Sequence, residues 1–304
     1  MNEKLKNIIA ATGQVVPLNW LINTKQPPFL PFYHIVSDTH PDYISFYSIR
    51  NPKLFEKELD YLLKHFNAVD LDTLLHQPNH RNMHLTFDDG LTECINIIAP
   101  ILKRKGIPAT FFMSPDFIDN KTLFHRFKRA ILEKKGIIEP GGKPYHYQQA
   151  NELDQIALEH QIDFTNYKPY LTSKQLQQLH NMGFNIGAHS LYHPEMWLMN
   201  ENEQFEQIAN SMKWVNDRFN PKIKAFSFPF TDHGIKLSVF DKIYNEGIAD
   251  ITFGTAGLKH DIAKNHFQRV PVERKEFWSI KKNVHFEYFY YFVRSLVNKN
   301  VVTR

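Results

Sequence analysis

Apolar positions recur with two different periods along this 304-residue chain. Short apolar runs bounded by turn residues stand at 29–36, 83–87, 109–113, 184–188, 225–228, 251–253 and 267–272, and these read as buried strands. Between them, apolar residues three and four apart mark helix faces, as Phe55, Leu59, Leu62, Leu63 and Phe66 do. The same spacing predicts helices over 92–105, stopped by Gly106-Ile107-Pro108, and over 172–182, 200–219 and 235–246. Strand and helix alternate, which implies parallel strands joined by crossovers. A count of about seven such units favours closure of an α/β barrel over an open sheet.

Residues 115–169 break this rhythm. They carry a basic helical stretch (Arg126, Lys128, Arg129, Lys134, Lys135), a turn at Glu139-Pro140-Gly141-Gly142 and a second helix over 149–160. This reads as a helical insertion after a strand, where a barrel keeps its active site; a substrate wall and a solvated decoration are both open. The chain is otherwise expected to form one domain over 1–304. It ends in a very aromatic helix over 276–298, for which packing on the barrel is the default. Self-association and peripheral membrane contact are the alternatives for that helix.

Composition narrows the partners. An apolar fraction of 42% and a charged fraction of 22% are those of an ordinary globular chain. The net charge of +4 is spread along the length without a dense Lys/Arg block, so nucleic-acid binding is not expected. A single cysteine, Cys94, cannot form an intrachain disulfide, and it reads as a packed small apolar group. That favours the cytoplasm, with membrane association or export as alternatives. Lys4 and Lys6 precede Ile8-Ile9-Ala10-Ala11, but polar residues interrupt the run, which reads as a short helix rather than a signal sequence. No stretch approaches the 18 apolar residues of a spanning helix.

Two segments carry the chemistry. Thr86-Phe87-Asp88-Asp89-Gly90 and His189-Ser190-Leu191-Tyr192-His193-Pro194 each follow a predicted strand directly, which places both at the C-terminal end of the barrel. Two adjacent carboxylates and two histidines four positions apart form a ligand set for one divalent ion, with one carboxylate left to act as a base. Imidazoles with a carboxylate suit zinc, with cobalt, nickel or iron as alternatives. Taken singly, Asp-Asp-Gly is also an ordinary turn, and H-x-x-x-H is a weak signal in a chain with 16 histidines. Their joint occurrence at strand ends is what favours a site.

With these residues in place, the chain resembles the NodB-like polysaccharide deacetylases, metal-dependent carbohydrate esterases built on a distorted (β/α) barrel. The family's T-F-D-D-G motif is matched by residues 86–90 and its H-S/T-x-x-H-P motif by 189–194. The stretches GIPATFFM (106–113) and LHNMGFNIGAHS (179–190) are phrased as in that family, and the likeness covers roughly 29–275. The resemblance implies that Asp88 is the general base and that Asp89, His189 and His193 bind the metal. It further implies an N-acetylated glycan as substrate, de-N-acetylation as reaction, and the Phe230 backbone N–H as an oxyanion donor.

Two departures qualify it. Ser227 stands where the family often has the arginine that braces its base, and Arg269 is the candidate to reach in from a later strand. The late Leu-x-His motif that supplies the general acid is not recognisable, which leaves His34, at the end of the first strand, and His233, beside the Pro–aromatic motif, as candidates. Without an acid, the alternative is a carbohydrate-binding relative that keeps the metal site but has weakened or lost turnover.

Overall fold

The computed structural model describes residues 12–13, 15–24, 26–141, 145–273 and 279–304; the expected helix around Ile8–Ala11 lies outside them. Eight strands make the main sheet: β1 Pro31–Tyr33, β2 Leu85–Phe87, β3 Ala109–Met113, β4 Asn185–Ala188, β5 Ala225–Ser227, β6 Ile251–Gly254, β7 His266–Gln268 and β8 Val270–Pro271. All pairings are parallel, in the order β7-β6-β5-β4-β3-β2-β1-β8. β7 and β8 therefore lie at opposite edges of the sheet, yet only Arg269 separates them in the chain. One continuous run bridges the seam: His266 pairs with Thr252 on one side, and Val270 pairs with Pro31 on the other. The result is a distorted (β/α) barrel of seven staves, the last shared between both edges, in agreement with the seven apolar runs.

Helices cover the outside: α1 Leu18–Ile22, α2 Pro52–Leu63, α3 Leu71–His76, α4 Ala99–Lys105, α5 His125–Lys134, α6 Ala150–Glu159, α7 Ser173–Asn181, α8 Glu201–Phe219, α9 Leu237–Asn245 and α10 Ile280–Ser295. Their ends are set locally. Asn200 accepts the N–H groups of Asn202 and Glu203 at the start of α8, and Glu203 accepts the Asn200 N–H in return. The left-handed Asn220 (φ 39°) stops the same helix. The helix expected over 92–105 is not uniform. Pro100 has no N–H for the turn before it, and Cys94–Ile98 widens into a π-turn in which the Ala99 N–H reaches the Cys94 carbonyl. Cys94 itself is buried and unpaired.

Alternation along each strand divides the residues between barrel and shell. On β2, Phe87 faces the helices, where it stacks with Tyr33 and Phe111. Thr86 and the following Asp88 face the other way and share Arg269. On β3, Phe112 points inward and fills the barrel beside the Arg269 guanidinium. Gly187 on β4 makes room for it, because a Cβ there would stand 2.5 Å from the Phe112 ring and 2.8 Å from the Ala225 carbonyl.

The aromatic helix α10 turns much of its face to the barrel. Tyr288 packs between Phe29 and Phe66, Phe292 meets Trp20 edge-on, and the Tyr291 hydroxyl donates to the Ala256 carbonyl. Val293, Leu296 and Val297 remain exposed at its end. No described helix is long and apolar enough to cross a membrane.

Candidate active site and metal centre

β2 delivers its two aspartates to the barrel mouth by leaving the sheet abruptly. The Asp88 N–H still bonds the Tyr33 carbonyl, as a strand residue would. Asp89 (φ 69°) and Gly90 (φ 64°) then enter the left-handed region. At Gly90 a side chain would also strike the Met113 sulfur at 2.6 Å, which explains the glycine of this motif. A left-handed backbone is uncommon for Asp89, Ser190 (φ 62°), His193 (φ 56°) and Phe230 (φ 56°), and all four stand around one point. Strain of order 1–3 kcal/mol per residue concentrates at functional positions because the surrounding fold holds it.

Three of these groups converge. His193 Nε2 lies 3.4 Å from Asp89 Oδ1, and His189 Nε2 lies 3.8 Å from the same oxygen. One donor atom from each of Asp89, His189 and His193 fits within 4.8 Å of the others. His189 is oriented from behind, since its Nδ1 sits 2.8 Å from the Ser227 carbonyl and donates to it, which leaves the Nε2 lone pair for the mouth. The Ser190 hydroxyl accepts the His193 N–H at 3.0 Å and keeps the turn between the two histidines compact.

Electrostatics agree with metal ligation. Burial lowers the His189 pKa despite the nearby aspartates, and burial together with His189 and His125 holds that of His193 well below the ordinary value. Both rings are thus neutral, the form a cation needs. Asp89 Oδ1 is buried and meets no hydrogen-bond donor among the described residues, while Oδ2 accepts the Tyr47 hydroxyl at 2.6 Å. A buried, donor-less carboxylate oxygen facing two neutral imidazoles is what a divalent ion would satisfy, so these residues fit one.

Asp88 stands beside this triad and is held differently. The Arg269 Nη1 and Nη2 donate to its two oxygens at 2.8 Å each, and Nη1 also donates to Thr86 Oγ1 at 2.9 Å. The guanidinium is fully buried, 4.5 Å from the centre of the Phe32 ring. Burial alone would raise the Asp88 pKa, but the charge and hydrogen bonds of Arg269 outweigh it and hold the group below the usual carboxylate range. The arginine missing at Ser227 is thus supplied by Arg269 from the barrel seam. Ser227 contributes its carbonyl instead.

The two acid candidates separate clearly. His34 Nδ1 lies 2.6 Å from Glu273 Oε2, and the other oxygen of Glu273 accepts the N–H groups of His34 and Ile35. Burial opposes the charge on His34, yet Glu273 and then the two site aspartates outweigh it and raise its pKa. Its ring stacks on Tyr47 at 3.9 Å, one residue from Asp89. His233 is exposed, bonds Thr231 Oγ1 through its N–H, and lines a cavity shared with Lys259, Arg294 and Lys299 that includes no member of the triad. Phe230 packs edge-on against His193 at 4.4 Å, and its carbonyl accepts the Thr255 hydroxyl.

Several neighbours escaped the sequence reading. Tyr47 and Glu273 lie in stretches without periodicity, and the insertion contributes Phe124, 4.6 Å from the His193 ring, together with His125 and Arg126. A second cluster, Asp232, Asp261 and His266, also has metal-ligand spacing. There the Arg304 guanidinium already supplies the positive charge, with 2.6 Å contacts to both carboxylates.

Comparison with known proteins places this geometry. Residues 76–239, more than half of the chain and including both motifs, match the family model described as Polysaccharide deacetylase. YxkH of Bacillus subtilis (strain 168), assigned to the polysaccharide deacetylases, is 24% identical over 220 residues, 68% of this chain. The chain spans 59% of the length of that relative. Similar folds are seen in the Streptococcus pyogenes deacetylase PplD in complex with acetate (TM-score 0.57, 15% identity, 86% of this chain and 98% of that one). IcaB from Ammonifex degensii (0.56, 15%, 86% and 97%) and the de-N-acetylase from Aggregatibacter actinomycetemcomitans (0.58, 15%, 85% and 99%) are alike to the same degree. At such identities these structures speak for the fold, and the motif-bearing match to the family model carries the assignment: the chain belongs to the polysaccharide deacetylase family.

Proposed function

We propose that this protein is a metal-dependent de-N-acetylase acting on an N-acetylated sugar in a polysaccharide or glycan precursor. The observation that carries this reading is the convergence of Asp89, His189 and His193 beside an Asp88 that Arg269 keeps ionised. The acetate in the PplD structure points to an acetyl group, and the de-N-acetylase activity named for the Aggregatibacter protein favours the acetamide as the group attacked. Zinc is the ion we infer, because neutral imidazoles with one carboxylate suit it. An ion held by the three ligands would polarise the acetyl carbonyl and acidify a water for attack.

The protein side of the reaction then has three parts. Asp88, poised by Arg269, takes a proton from the attacking water as it adds to the carbonyl carbon. The Phe230 N–H donates to the oxygen that becomes negative, from a backbone fixed in the left-handed region and wedged against His193. His34, whose pKa Glu273 raises, gives its proton to the nitrogen as the C–N bond breaks, releasing acetate and a free amine.

Acetate release from N-acetylated and O-acetylated oligosaccharides, measured with zinc and with a chelator, tests the proposal. The expected result is zinc-dependent release from the N-acetylated panel. Binding of the sugars with no acetate released under any metal would overturn it in favour of a non-catalytic relative.

A further inference from the structure

Helix α5 of the insertion begins beside the site, and its first turn carries Arg126. The guanidinium lies 4.2 Å from the centre of the Phe230 ring and 5.9 Å from that of Phe46. Phe230 is in turn the ring packed on His193, so Arg126 stands one aromatic ring away from the metal ligands. Among the described residues, no hydrogen bond or ion pair engages it. Its neighbours on α5 differ: Lys128 is paired with Asp154 at 2.8 Å and Arg129 with Glu133 at 2.8 Å.

The acidic groups nearest to Arg126 are already matched. Glu195 meets His125 Nε2 at 3.2 Å and accepts the Tyr147 N–H at 3.0 Å. Asp89 is held by Tyr47 and faces the two histidines. What remains on Arg126 is a partly buried positive charge with five N–H donors in a planar fork, a shape that pairs bidentately with a carboxylate or phosphate. Partly exposed flat rings flank the same spot: Phe46 beside Arg126, and Trp197 at 5.7 Å from Phe230. They offer platforms for sugar rings on either side of the charge.

We infer that Arg126 is a substrate-selecting residue, and that the preferred substrate is an N-acetylated glycan bearing an anionic group, carboxylate or phosphate, next to the acetamido sugar. This rests on the deacetylase reading above for the substrate's acetamide, but not for the anion.

The test compares wild type with Arg126→Gln, after thermal melting has shown both to be folded. Three probes are used: chitotetraose as the neutral glycan, a hyaluronan tetrasaccharide for a carboxylate, and N-acetylglucosamine 1-phosphate for a phosphate. Calorimetric titration of protein without added metal gives binding free of turnover, and acetate release with zinc gives KM and kcat. The wild type should prefer at least one anionic probe, and which one identifies the source of the charge. Arg126→Gln should weaken that probe roughly 10- to 100-fold in Kd and KM, with kcat and chitotetraose values within about twofold. Equal treatment of neutral and anionic probes by the wild type, or an equal change for both in the variant, overturns the inference. Selective anion binding without acetate release from any probe sinks the deacetylase reading while leaving the anion site standing.

Discussion

In the proposed reaction Asp88 and His34 have opposite electrostatic settings, each set by one charged partner. Against burial, Arg269 lowers the Asp88 pKa and Glu273 raises that of His34. Asp88→Asn should lower kcat by roughly 10²- to 10⁴-fold while zinc content, measured by elemental analysis, stays at the wild-type level; near-normal turnover would remove Asp88 as the base. Glu273→Gln takes away the main group that raises the His34 pKa. Activity that needs protonated His34 is lost as pH rises through that pKa, so the alkaline limb of the pH–rate profile should move to lower pH. An unmoved limb would take the acid role from His34. Arg269→Met leaves a buried carboxylate unpaired, and unfolding in denaturant should show a loss of roughly 3–5 kcal/mol. In that variant the acidic limb should move to higher pH, because Asp88 regains its proton more readily.

Single elements show what the linear chain could reveal and where it fell silent. The two motifs were readable because each is contiguous and sits at the end of an apolar run, so strand direction alone puts Asp88, Asp89, His189 and His193 at one end. Arg269 was readable only as a candidate: its reach depends on the run 266–271 crossing the barrel seam, a consequence of closure rather than of local pattern. Tyr47, Glu273 and Arg126 come from a loop, the end of the last strand and an insertion, where no period marks an inward side chain. The family resemblance gained from the motifs holds, whereas the division between His34 and His233 needed the neighbours of each ring. Strand β4 offers a sharp test of the packing behind the site. Gly187→Ala places a methyl against Phe112 and the Ala225 carbonyl, and should destabilise by about 1–3 kcal/mol in urea unfolding. A change under about 0.5 kcal/mol, the level of a neutral surface substitution, would mean that Phe112 is not wedged there.

At the scale of the whole molecule, two buried charge clusters divide the labour. In the triad beside Asp88, Asp89 Oδ1 meets no hydrogen-bond donor among the described residues, while Asp232 and Asp261 are satisfied by Arg304, Gln268 and His266. Burial alone would raise the Asp232 pKa, but bonds from His266, Arg304 and Gln268 hold it far below the carboxylate range. Its contribution to stability is therefore complete above the unfolded-state value of about 4 and is lost as pH falls further. Asp232→Asn should lower the thermal midpoint at pH 7, and the gap to wild type should narrow as pH drops towards 3; a constant gap would contradict the ionised assignment. The family, the barrel and the neutral imidazoles all lead to one coordination geometry. Diffraction from crystals grown with zinc, recorded on both sides of the zinc absorption edge, examines it directly. The predicted result is one anomalous peak bonded to Asp89 and to Nε2 of His189 and His193 at about 2.0–2.2 Å. A peak at Asp232, Asp261 and His266 instead, or none beside Asp88, would contradict the account.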